Sequence, residues 1–188
     1  MMSRLNPPVG PGDHAQGRAD APVTLVEYGD YQCPYCGAAY GVVREVQRQM
    51  GSRLRFVFRN FPLTQVHAHA LRAAEFAEAA GSIGRFWEAH DMLYERQEAL
   101  QDGDLMEYSA LLGLSRNLLL QAFGGSLDAK IRGDFTSGLR SGVNGTPTLF
   151  INGQRYDGPF EVQNLITALE SVAAAEGATN GQPGHLTL

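Results

Sequence analysis

The 188-residue chain is 44% hydrophobic and sets 15 Lys and Arg against 20 Asp and Glu, for a net charge of −5. That is enough apolar material for a full core, most simply one domain. The acidic balance, with no basic blocks, excludes the electrostatic footprint of a nucleic-acid binder or a membrane-surface protein. No apolar run approaches the roughly 20 residues that span a bilayer, and Met1 to Ala21 lacks the apolar core of an export signal, so a cytoplasmic location is expected.

The first 17 residues, with Pro7, Pro8, Gly10, Pro11 and Gly12, read as an irregular arm. The folded unit is expected over 18–176, with a polar tail at 177–188. Val23 to Tyr28 is apolar on both alternating faces, as in a central strand covered on both sides. Glu27 is the anomaly in that run: either a buried acid or an acid at a strand end that reaches solvent.

The chain's only two cysteines follow, as Cys33-Pro34-Tyr35-Cys36 at the start of a helical pattern in which Ala39, Val43, Val46 and Met50 share a face. Two thiols separated by two residues can close a small disulfide ring. The positive end of a helix favours a thiolate on the first sulfur, which makes Cys33 the candidate nucleophile. Pro34 suits the first helical position, where its missing N–H costs nothing, and this puts Cys36 one turn in as the candidate resolving thiol. A closed zinc site needs four ligands, of which at least two would have to be histidines, so no metal is expected. Gly51 stops the helix and Leu54 to Phe58 forms a second strand, giving a parallel strand–helix–strand crossover.

From about 63 to 140 the pattern is helical. Ala70, Leu71, Ala74 and Ala77 make a small-residue stripe; Phe86, Trp87, His90, Leu93 and Tyr94 make a larger one; and Asp104 with Glu107 resembles a capping box. Four or five helices are expected. His67 and His69, two apart, face different ways on a helix, so packing or solvent contact is the ordinary reading of these and of His90, with a metal site as the alternative. Asp30 reads as a turn residue. Strand signals return at Thr148 to Ile151, followed by the hairpin dipeptide Asn152-Gly153, by Gln154 to Tyr156, and by a closing helix over about Glu161 to Ala175.

The resemblance rests on Ala21-Pro22-Val23-Thr24, Asp30-Tyr31-Gln32-Cys33-Pro34-Tyr35-Cys36, Phe61-Pro62-Leu63, Gly84-Arg85-Phe86-Trp87-Glu88 and the run from Gly142 to Gly153 containing Gly145-Thr146-Pro147-Thr148. With these in this order, the chain resembles the thioredoxin superfamily, and more closely the DsbA-like thiol–disulfide oxidoreductases. It is also similar to the thioredoxin-type domain appended to some bacterial sodium/proton antiporters.

The resemblance implies an α/β thioredoxin-like fold with a central mixed sheet and a helical insertion between the second strand and the cis-proline hairpin. It further implies a cis Thr146–Pro147 bond facing the sulfurs, and identifies Glu27 as the buried acid near the resolving cysteine. Cys33, Cys36 and Glu27 are then the catalytic set, with Pro34, Tyr35, Thr146 and Pro147 contacting substrate. No cofactor is implied beyond the redox-active Cys33–Cys36 disulfide. The expected partners are extended or unfolded protein thiols and disulfides and a small-thiol or protein reductant or oxidant. The best-known family member carries Pro-His where this chain has Pro-Tyr. A tyrosine cannot lend a positive charge, so a less oxidising couple is expected. A chaperone-like binding module and a redox sensor remain as alternative functions.

Overall fold

The computed structural model describes residues 3–180. Five strands form one mixed sheet in the order β1-β3-β2-β4-β5, where β1 is His14–Gln16, β2 Val23–Gly29, β3 Leu54–Asn60, β4 Thr148–Ile151 and β5 Gln154–Tyr156. The central pair β2 and β3 run parallel, joined by α1 (Pro34–Met50), while β4 runs antiparallel to β2. This is the α/β thioredoxin-like arrangement expected, and the crossover follows from covering both faces of an apolar strand.

The two faces of β2 have different neighbours. Val23 and Leu25 face a large core with Val43, Val46 and Met50 of α1, Phe56 and Phe58 of β3, and both cysteines. Val26 and Tyr28 face a smaller core with Val57, Phe61 and Phe150. Each fully buried aliphatic side chain of α1 contributes about 1.5–3 kcal/mol relative to exposure. The helical insertion comprises α2 (Ala70–Gly81), α3 (Phe86–Glu95), α4 (Asp102–Leu112), α5 (Arg116–Gln121) and α6 (Asp128–Arg140). Ala70, Ala74 and Ala77 of the small-residue stripe are buried, as are Phe86, His90, Leu93 and Tyr94 of the aromatic one. The capping box lies earlier than expected. Asp104 is itself the third helical residue of α4 and accepts the Gln101 N–H at 2.9 Å. Asn152 and Gly153 turn the β4–β5 hairpin with φ of 44° and 79°, the left-handed pair that this dipeptide accommodates. The closing helix α7 (Val162–Asn180) extends beyond its expected end near Ala175 into the expected tail; the rest of that tail lies outside the described residues.

The irregular arm expected over 1–17 is corrected by the structure. Its residues 14–16 are β1, paired antiparallel to β3, and Leu5 is buried, its N–H donating to the Gly153 carbonyl at 2.8 Å. What anchors the segment is the buried Arg59 guanidinium. It makes two bonds to the Asp13 carboxylate, at 2.8 and 2.9 Å, and donates to the Pro7 and Pro8 carbonyls and to the Tyr28 hydroxyl. Proline-rich sequence has no hydrophobic period to reveal such packing; its free carbonyls supply acceptors instead. No helix among the described residues is long and apolar enough to cross a membrane.

Candidate active site

The loop after β2 delivers Cys33 to the N-cap of α1 in an extended conformation (φ −70°, ψ 121°), with Pro34 at the first helical position. Cys33 and Cys36 are free thiols with little solvent exposure, while Tyr35 between them is 75% exposed. Opposite stands the loop before β4. The Thr146–Pro147 bond is cis, as the resemblance implied, and the Cys33 Sγ lies 3.4 Å from the Thr146 carbonyl oxygen. A groove of about 380 Å³ runs beside the pair, lined by Tyr35, Ala38, Ala39, Val42, Thr146, Pro147 and Phe160.

The two sulfurs differ in their electrostatics. The Cys33 thiol is lowered to about 5, first by the Cys36 S–H donating to it, with burial opposing, and then by Thr146 and the backbone N–H groups of Cys36 and Tyr35. The helix start therefore acts at close range, through its free N–H groups. Burial pushes the Cys36 thiol far up, and its bond to Cys33 adds to that. On the same side of β2, Glu27 is only 2% exposed; burial raises its carboxyl to about 8, with the negative charge of Cys33 adding. Between the two readings of Glu27, solvent-reaching or buried, the structure takes the buried one. Its neighbours in the sheet are Phe58 and Leu149, so only desolvated hydrocarbon flanks it there.

Two residues outside the expected set hold the cysteine loop. Gln97 donates from Nε2 to the Tyr31 and Cys33 carbonyls, each at 2.8 Å, and a side chain at Gly37 would collide with its amide. Asp30 does more than turn the chain. Its buried carboxylate accepts the Gln32 and Leu63 N–H groups and meets His67 Nδ1, all at 2.8 Å, while its own N–H points to the Cys36 sulfur at 3.5 Å. The only advance signal for Asp30 was its place between a buried strand and the cysteines; Gln97 sits in an unpatterned helix connection and gave none. His67 is thus tied to Asp30, His90 packs in the aromatic cluster with its Nδ1 3.2 Å from the Tyr31 hydroxyl, and the His69 N–H donates to Gln32. Among the described residues, no group of three or more His, Cys, Asp or Glu is arranged to hold a metal ion.

The family model described as thioredoxin matches residues 10–171. The chain belongs to the thioredoxin family. Within it, the DsbA-type oxidoreductases share this fold. The oxidised BdbD of Bacillus subtilis is similar with a TM-score of 0.78 at 21% identity, over 93% of this chain and 100% of that one. The α-DsbA1 of Wolbachia pipientis is similar with a TM-score of 0.78 at 17% identity, over 92% and 96%. Among curated relatives, a sodium/proton antiporter, NhaA 3 of Salinispora tropica, is 43% identical over 170 residues, covering 89% of this chain and 26% of that protein. The chain therefore spans about a quarter of the length of such relatives.

Proposed function

We propose that the protein is a thiol–disulfide oxidoreductase that exchanges disulfides with protein substrates through Cys33 and Cys36. The observation that carries this reading is the asymmetry of the pair. Cys33 is lowered to about 5 and faces Thr146 beside an open groove, whereas Cys36 is buried and holds its proton. Near neutral pH, Cys33 is the thiolate that attacks a client disulfide sulfur, forming a mixed disulfide and expelling the client's other sulfur as a thiolate. Cys36 then gives its proton to the Glu27 carboxylate and attacks Cys33, closing the Cys33–Cys36 bond and releasing the client's second sulfur as a thiolate; the two client thiolates then take up protons from solvent. The reverse sequence oxidises a client. A carboxyl near 8 exchanges a proton readily around neutrality, which is why a buried acid suits this step.

The groove supports extended clients. Thr146 presents its backbone beside Cys33, so a client segment can lie along it as an added strand, with Tyr35, Pro147 and Phe160 offering apolar contact in the groove and Pro34 exposed at the helix start. Reduction of insulin by dithiothreitol tests the reading: the protein accelerates it and Cys33→Ser abolishes the acceleration. Equal rates with and without protein overturn it. A second reading, a redox sensor whose disulfide state is communicated to a larger assembly, is favoured by the relatives named as antiporters, in which the matching segment is a minor part.

A further inference from the structure

Seven buried side-chain polar atoms lack a hydrogen-bond partner among the described residues, and two of them, Glu27 Oε1 and the Tyr94 hydroxyl, lie close to the cysteine pair. Buried polar groups are rarely left unpaired, so such a pair asks for an explanation. Tyr94 lies on α3, buried, with its ring 5.0 Å from that of Tyr31 and 6.3 Å from that of Phe58. Its hydroxyl reaches β2 at Gly29, where an added Cβ would sit 2.9 Å from it; a larger residue there would displace the hydroxyl. Gly29 and Glu27 are two apart on one strand and so share a face, the one that also meets Cys36. An apolar core had room for Phe at 94, as it has at 58 and 86. The hydroxyl is therefore the part that packing does not account for.

We propose that Tyr94 is a positioning residue for the resolving step: its hydroxyl, through one buried water, hydrogen-bonds the Glu27 carboxyl and aims it at Cys36. This rests on the oxidoreductase reading above. Burial keeps Tyr94 protonated well beyond its ordinary range, as does the proximity of Cys36 and Glu27, so it acts as a fixed donor. The groups near Glu27 are Cys33 and Cys36 at the start of α1, Tyr31 from the loop and Tyr94 from α3; Asp30 lies beside Cys36 and Tyr94, and neutral His90 beside Tyr31. The packed residues of β3, β4 and α7 on this face, Phe58, Leu149, Leu165 and Leu169, do not titrate.

Ellman's disulfide separates the steps in stopped flow. Attack by Cys33 forms a mixed disulfide and releases one coloured thiolate. Attack by Cys36, after losing its proton, forms the Cys33–Cys36 bond and releases the second. Two electrons pass from the protein dithiol to the probe. Tyr94→Phe should leave the first phase unchanged and slow the second about five- to tenfold, the size expected of one lost hydrogen bond. It should also move the pH midpoint of the second phase upward, because a donor that favours the Glu27 carboxylate is gone. In a Glu27→Gln background, Tyr94→Phe should add nothing further, since it acts through Glu27; a purely structural role predicts additive losses. An unchanged second phase, or additive losses, overturns the proposal. Absence of two-phase release by the unmodified protein would instead refute the oxidoreductase reading. Should Tyr94→Phe not fold, the infrared carbonyl band of protonated Glu27, assigned with Glu27→Gln, decides: a hydrogen-bonded position supports the proposal and a free one overturns it.

Discussion

Glu27→Gln in the reduced protein should remove a pH-dependent loss of stability. Burial raises the Glu27 carboxyl from 4.5 to about 8, so the folded state holds this proton longer than the unfolded chain does. The stability tied to that proton is fully present below 4.5, declines as pH rises, and is gone above about 8. At about 1.4 kcal/mol per unit, the shift corresponds to a loss of about 5 kcal/mol across this window. Glutamine has the shape of the neutral acid and cannot ionise, so this component is absent from its curve; the lowered Cys33 thiol adds a rise of stability with pH to both proteins, and the difference between the two curves isolates Glu27. The variant should be no more stable than the parent near pH 5 and more stable by several kcal/mol near pH 9, a difference of the order given by that shift. Urea titrations of both proteins, reduced, across this range measure it directly. Parallel curves would show that Glu27 ionises freely and would refute its burial as the source of the shift.

Alkylation of Cys33 should titrate with a midpoint near 5, and Cys36→Ala should move that midpoint upward by removing the largest stabilising bond; a midpoint near 9 in the unmodified protein would refute the asymmetry. Asp13→Asn should cost about 3–5 kcal/mol in urea unfolding, because Arg59 is left charged and buried without its carboxylate. No change would show that residues 3–16 unfold independently. Gln97→Ala should cost about 1–2 kcal/mol in urea unfolding through two lost bonds to the cysteine loop, and an unaltered midpoint would show that the loop is held without it.

Much of the fold is legible in the sequence because period and chemistry agree. Val23 to Tyr28 is largely apolar on both faces, Leu54, Phe56 and Phe58 alternate along the second strand, Pro34 opens α1, Gly51 closes it, and Asn152-Gly153 marks the hairpin. Glu27 is visible for the opposite reason, as the one acidic residue in a largely apolar strand. The N-terminal segment is not legible, since Asp13 and the proline carbonyls dock on Arg59 through polar contacts that leave no hydrophobic spacing. Gln97 and Asp30 escape for a related reason: their roles come from bonds to residues far along the chain or to backbone carbonyls, and single-residue chemistry carries no trace of those. Tyr94 sits in the aromatic stripe and reads as core until its hydroxyl is seen at Gly29.

The equilibrium of the Cys33/Cys36 couple against a glutathione buffer tests the central claim most directly. A thiol lowered to about 5 lies between the thioredoxin cysteine, about 7, and the strongly oxidising DsbA cysteine, about 3.5. The potential should accordingly fall at roughly −250 to −150 mV, between the values of those two proteins. A potential below roughly −300 mV, typical of structural disulfides that resist the glutathione pool, would contradict a role in disulfide exchange.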